Sequence, residues 1–229
     1  MNKEKHLSDL YPFLQARQQD AGNMNRALLE SVRQKAADHV KVFENYFAKN
    51  KDDIVSAAEI IAETYRHNGR LFTMGNGGSS CDAAHVAVEF LHPVTTGRPA
   101  LTAINLTTDI AMMTAVSNDV GYDHVYARQI IAQGRKGDCL IGISTSGNSA
   151  NLIRAFKKAR EMGLFTIGLS GMNGGEMAEA GLDACLTVET DSIHRVQECH
   201  VATYHILWDL VHTLLADGRG GLNKSGGET

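Results

Sequence analysis

Two pairs of residues stand out for their types and their spacing. His85 and Glu89 are four apart, so on a helix they share one face. Gln197 and His205 are eight apart with Val201 midway, which also places them near one face. Two helices can therefore present a His, a Glu, a Gln and a His to a common point. A part-buried carboxylate and a histidine can supply a base for a carbon-bound proton and an acid partner for an oxygen. Each residue also has a plainer reading. His85 and His205 fit as packed histidines, the latter among Tyr204, Ile206, Leu207 and Trp208, and Glu89 fits as a solvated carboxylate. Two ligand-type loops elsewhere in the chain favour the chemical reading.

The first loop lies in Leu140–Ala150. An apolar run leads into Ser144, Thr145, Ser146 and Ser149, with Gly147 and Asn148 between, and a helix follows. A helix N-terminus leaves backbone N–H groups unpaired and carries positive potential, so it attracts phosphate. The hydroxyls add donors. Ser149 as a simple N-cap with a turn before it is the alternative, although one cap needs only one hydroxyl. The second loop, Met74–Asp82, holds Gly75, Asn76, Gly77, Gly78, Ser79 and Ser80, and also joins a strand to a helix. Its three glycines permit positive φ and close backbone approach to a ligand. Neither loop is a Walker loop, which needs GxxxxGK[ST]. The GxGxxG spacing of a dinucleotide site also fails, because Ser80 stands where the last glycine belongs. No nucleotide cofactor is expected.

The elements that must hold these residues follow from periodicity. Leu28, Val32, Ala36, Val40, Phe43 and Phe47 predict a helix over Asn25–Ala48. Asp52–Asp53 predicts the start of a second, ending near His67–Gly69. Strands are predicted at Arg70–Met74, Ala100–Ile104, Asp138–Ile143, Leu164–Leu169 and Ala184–Val188. Helices are predicted at Cys81–Leu91, Thr108–Val116, Tyr122–Gly134, Ala150–Met162, Gly175–Ala180 and Ile193–Asp217. This alternation is that of an α/β fold: a parallel sheet covered on both faces, preceded by N-terminal helices. Residues 1–24 read as an arm, 25–217 as the domain and the Gly-rich 218–229 as a flexible tail. In the last helix His200 reads as a surface residue, and Trp208, Leu210 and Leu214 as core.

Composition bounds the partners. A formal charge of −4 over 229 residues disfavours a general nucleic-acid binder. No apolar run approaches the ~20 residues that span a bilayer, and the N-terminus lacks a secretory core, so no membrane partner is expected. The four cysteines are scattered without a CxxC pair, which points to a reducing cytoplasm and against disulfides or a cysteine zinc site.

The motifs GNGGSSCDAAHVAVE (75–89), AVSNDVG (115–121), GISTSGNSANLIRAF (142–156) and RVQECHVATYHILWDL (195–210) are similar to those of the sedoheptulose-7-phosphate (phosphoheptose) isomerases, a family of the sugar-isomerase (SIS) superfamily. The resemblance covers roughly residues 25–216. It implies a three-layer, flavodoxin-like α/β/α sandwich and a homotetramer with sites at subunit contacts. It further implies enediol isomerisation of sedoheptulose 7-phosphate to glycero-manno-heptose 7-phosphate. By resemblance, Ser144, Thr145, Ser146 and Ser149 hold the phosphate. Asn76, Gly77, Gly78, Ser79, Asn118, Asp119 and Gln197 contact the sugar. Glu89 matches the base and His205 the acid. Zinc is implied at His85, Glu89, Gln197 and His205, as in some members; Gln is an uncommon zinc ligand. Other SIS proteins are non-catalytic phosphosugar- or protein-binding regulators, and these tend to lose the acid–base residues retained here. The chain departs from the family pattern at His92–Pro93, where a Gly–Arg pair is usual, and at His194, where a small or acidic residue is usual.

Overall fold

The computed structural model describes residues 21–217, with side chains from 24 to 216. The predicted arm up to residue 20 and the predicted tail lie outside the described residues. Residues 21–41 belong to one compact unit and residues 42–217 to a second. Helix α1 (Ala21–Arg66) replaces the two predicted N-terminal helices. In the first unit its predicted apolar face is open: Leu28, Val32 and Val40 are 58%, 68% and 53% exposed.

In the second unit the break predicted at Asp52–Asp53 is absent, for a physical reason. The segment holds no Pro or Gly, and the inward face continues without interruption through Tyr46, Asn50, Ile54, Ala57, Ala58 and Ile61, all buried. The polar member of that stripe, Asn50, satisfies its amide within the helix by donating to Tyr46 O at 2.9 Å. The two aspartates are exposed and solvated, so they do not stop the helix.

The strands are β1 (Leu71–Gly75), β2 (Ala103–Asn105), β3 (Cys139–Ser144), β4 (Phe165–Gly171) and β5 (Ala184–Val188). They form one parallel sheet of order β2-β1-β3-β4-β5. Each lies within a few residues of its predicted span. β1 and β3 are neighbours, with Gly75 opposite Ile143, so the two ligand-type loops leave the sheet side by side at its carboxyl edge. The helices are α2 (Gly78–Leu91), α3 (Ile110–Asp119), α4 (Val125–Gln133), α5 (Ala150–Glu161), α6 (Gly175–Glu179) and α7 (Ile193–Asp217). A single 3-10 turn, Tyr122–His124, precedes α4 where periodicity predicts one longer helix.

Alternation along the strands sorts the core into two layers. Leu71, Ile141, Ile143 and Leu169 face Ala58, Val86, Phe90, Val196, Tyr204 and Leu207 on α1, α2 and α7. Phe72, Met74 and Leu140 face Tyr126, Ile130, Leu152 and Phe156 on α4 and α5. The predicted three-layer sandwich is therefore present. Among the described residues no helix is long and apolar enough to cross a membrane. All four cysteines are free thiols.

His200 corrects the reading of α7. It is fully buried, and its Nε2–H donates to the carbonyl of Ser170 on β4 at 3.0 Å. Apolar and polar positions are mixed along α7, so periodicity alone does not separate its inner face from its outer one. Burial pushes the imidazole down to about 4 from the ordinary 6.5. Between those values the unfolded chain takes up a proton that the fold refuses, so stability is full above pH ~6.5 and falls as pH drops toward ~4. The expected loss is at most about 3 kcal/mol, measured as urea midpoints across that window, and His200→Gln should flatten the slope. An unchanged slope in the variant would show that other groups govern acid sensitivity.

Candidate active site

The site is built by two helices that run in the same direction. Gln197 packs against Gly78, Tyr204 against His85 and Trp208 against Glu89, each pair separated by the same 119 residues. A constant offset means α2 and α7 lie parallel and in register. The contacts recur at seven and then four residues, the spacing of one helix face.

At this seam His85 Nε2 lies 3.0 Å from Glu89 Oε1 and 3.5 Å from His205 Nε2. The donor atoms of His85, Glu89 and His205 all fall within 4.8 Å of one another. Donors around a tetrahedral zinc stand about 3.3 Å apart for bonds of ~2.0–2.1 Å, and the two separations from His85, 3.0 and 3.5 Å, are close to that spacing. Tyr204 Oη sits 2.8 Å from His85 Nδ1, which leaves Nε2 as the nitrogen that faces Glu89 and His205. Burial, reinforced by the charges of Asp82 and Glu89, pushes the Tyr204 phenol well above its usual value and keeps it protonated. Asp82, one turn before His85, has its own carboxyl raised by burial, against a lowering by His85. Its Oδ2 is buried without a hydrogen-bond partner.

Gln197 meets α2 nearer its start. Its Nε2 would be 2.3 Å from a Cβ at Gly78, so it lies at the start of α2, about two turns or ~10 Å along the helix before His85. The eight-residue spacing from His205 explains this: it preserves the face but not the level. Gly78 thus lacks a side chain to make room for the amide. Gly75 makes room for the carbonyl of Ser79, which a Cβ would meet at 2.2 Å. Of the three loop glycines only Gly77 has positive φ, +56°.

The two loops are locked to each other. Asn76 and Asn151 exchange reciprocal amide hydrogen bonds of 2.8 and 2.9 Å. Tyr122 Oη donates to Asn76 Oδ1 at 2.9 Å, and Tyr126 Oη donates to Gly75 O. Ser79 is buried beneath the loop with its amide on Asn76 O. In the second loop Ser149 occupies the N-cap position of α5 but makes no capping bond; its hydroxyl pairs with Ser144 Oγ at 2.9 Å. The half-buried Thr145 and Ser146 stand between them. α6 buttresses the loop through Glu176 N to Asn148 Oδ1 and Met177 N to Gly147 O, both 2.9 Å. Asn118 and Asp119 sit exposed at the end of α3 and bond to each other at 3.0 Å. Asp82 was passed over in the sequence, although its spacing of three from His85 and seven from Glu89 puts it on their helix face. Tyr122, Tyr126, Asn151 and Tyr204 carried no sequence signal apart from their neighbours.

Paired phosphate-type loops at adjacent strand ends, on a five-stranded parallel sheet, define a phosphosugar-binding domain of the SIS class, and residues 36–171 match the SIS domain family. The chain is 46% identical to the phosphoheptose isomerase of Roseiflexus sp. over 71% of its own length and 82% of that protein. It is 42% identical to that of Nitratidesulfovibrio vulgaris over 80% and 88%. The solved phosphoheptose isomerase of Neisseria gonorrhoeae superposes with a TM-score of 0.76 at 38% identity, over 81% of this chain and 99% of that one. The chain belongs to the phosphoheptose isomerase family.

Two glycines in the loops should respond differently to a methyl group. Gly77→Ala incurs only the strain of positive φ, about 1 kcal/mol, because nothing lies within 4 Å of the new Cβ. Gly147→Ala adds to its φ of +68° a Cβ placed 1.9 Å from the Gly174 carbonyl, and should cost at least ~3 kcal/mol in chemical denaturation. Equal costs would contradict this packing.

Proposed function

We propose that the chain is an aldose–ketose isomerase that converts sedoheptulose 7-phosphate to D-glycero-D-manno-heptose 7-phosphate. The observation that carries the proposal is the meeting of His85, Glu89 and His205 at one point in a chain 46% identical to a phosphoheptose isomerase. The phosphate is held by the Ser144–Ser149 loop and the open N-terminus of α5, whose amides and dipole attract an anion without a lysine. The N-terminus of α2, where Gly77 makes no side-chain cap, receives the sugar at Asn76 and Gly78, and the family resemblance adds Asn118 and Asp119, exposed at the end of α3, to its contacts.

The reaction moves one proton between neighbouring carbons. Glu89, held at Oε1 by His85, takes the proton from the hydroxyl-bearing carbon next to the ketone. His205 passes a proton to the carbonyl oxygen, giving a neutral enediol. It then accepts the proton of the other hydroxyl as the protonated Glu89 returns its own to the former carbonyl carbon. Both groups end in their starting states. His85 orients the carboxylate, and Tyr204 orients His85.

Zinc is proposed at His85, Glu89 and His205, which would hold it; it would supply a Lewis acid for the substrate oxygens, and the proton transfers above are those of the same side chains when they are not ligating a metal. The half-exposed Val88, Leu91 and Ile206 border these ligands, and with the open face of Leu28, Val32 and Val40 they support self-association, here a homotetramer. Free thiols and a phosphorylated metabolite fit a cytoplasmic setting.

Purified protein should convert sedoheptulose 7-phosphate to the aldose and, in deuterated water, incorporate deuterium on carbon. Glu89→Gln should lower kcat at least ~1000-fold with little change in KM. Phosphosugar binding without turnover by the wild type would instead mark a regulatory SIS protein. In a chelator competition, Tyr204→Phe should bind zinc roughly tenfold more weakly than the wild type, and equal affinity would remove Tyr204 from the support of His85.

A further inference from the structure

α2 ends in an unusual way. The last turn of a helix leaves carbonyls that need donors from elsewhere. Here three successive ones are satisfied from three places: Val88 O by His92 N, Glu89 O by Trp208 Nε1 and Phe90 O by Leu101 N, each at 2.8 Å. In a continuing helix Glu89 O would take the N–H of residue 93. Residue 93 is proline and has none. Proline also forces the residue before it out of helical geometry, and His92 has φ −135° and ψ 69°. The carbonyl left over belongs to Glu89 itself, the proposed base.

We infer that Trp208 is a positioning residue for Glu89: its indole N–H replaces the backbone donor that Pro93 removes, and so fixes the turn on which the carboxylate stands. Trp208 is the only tryptophan of the chain. Its ring is held on one side by the Arg98 guanidinium, 4.5 Å from the centroid, and packs edge-on against His212 at 5.0 Å. Arg98 in turn pairs with Asp209 at 2.5 Å. The loop that Pro93 opens is thus tied back onto the residue that stands in for the missing N–H. A tryptophan placed only for packing would need neither this partner nor this clamp. A shift of the Glu89 backbone would move Oε1 from its 3.0 Å contact with His85.

This inference rests on Glu89 acting as the base and as a zinc ligand, so both kcat on sedoheptulose 7-phosphate and zinc affinity by chelator competition are measured. The chains compared are the wild type, Trp208→Phe, Pro93→Ala and the double variant. Phenylalanine keeps the ring and the Arg98 stack but loses the N–H. Trp208→Phe should lower kcat about tenfold with KM changed less than about twofold, and weaken zinc by a similar factor. Pro93→Ala alone should match the wild type. The double variant should recover to within about threefold, because the alanine that replaces Pro93 supplies an N–H to Glu89 O. A wild-type kcat and zinc affinity in Trp208→Phe, or a loss that Pro93→Ala fails to rescue, would overturn the role. If the wild type turns over no heptose phosphate, the proposed function fails, while the same order in zinc affinity still decides the role of Trp208. A wild type with neither turnover nor zinc binding would overturn both.

Discussion

The parallel packing of α2 against α7 carries the rest of the site. Each helix follows a strand of the same sheet, so both start at its carboxyl edge and run back along it. Once they lie in register, residues far apart in sequence meet at successive levels: Gly78 with Gln197, His85 with Tyr204 and His205, and Glu89 with Trp208. The seam is anchored by packing beneath it, where Val86 and Phe90 of α2 and Val196, Tyr204 and Leu207 of α7 are buried on the sheet. The polar groups that face outward inherit their geometry from that apolar contact, which can be specified far more firmly than any single hydrogen bond between exposed side chains.

Much of this was legible in the sequence. Strand–helix alternation located every strand, and β5 and α7 have the predicted bounds, because runs such as ACLTV are closed by turn residues on both sides. His85 and Glu89 were legible as a pair, since local spacing on one helix fixes their common face. What periodicity could not supply is level. It gave Gln197 and His205 one face, yet they sit two turns apart along a helix whose neighbour decides what each one touches. The same limit explains His200, which shares a helix with exposed residues but points at β4. The Asp52–Asp53 signal misled for a different reason: an N-cap residue acts only where the chain has cause to stop, and the buried stripe through Asn50 gave none.

The glycines of the first loop show how a sequence motif can be right for more than one physical reason. Gly77 adopts a backbone conformation that suits glycine, whereas Gly75 and Gly78 yield space to a carbonyl and an amide. These close approaches, together with the Asn76–Asn151 pair, bring the N-termini of α2 and α5 under common control. The two loops are therefore parts of one hydrogen-bonded frame rather than two independent segments.

The Asn76 amide has one more consequence, in the chemical ageing of the protein. Asn76 precedes Gly77, and an Asn–Gly step is prone to succinimide closure because glycine leaves its backbone nitrogen unshielded. Ring closure expels the side-chain nitrogen as ammonia, so it must break the hydrogen bond that Asn76 Nδ2 donates to Asn151 Oδ1. Deamidation would then set a carboxylate against the Asn151 carbonyl oxygen, at the point where the two loops join. The hydrogen bonds that join the two loops would therefore also oppose this ageing reaction.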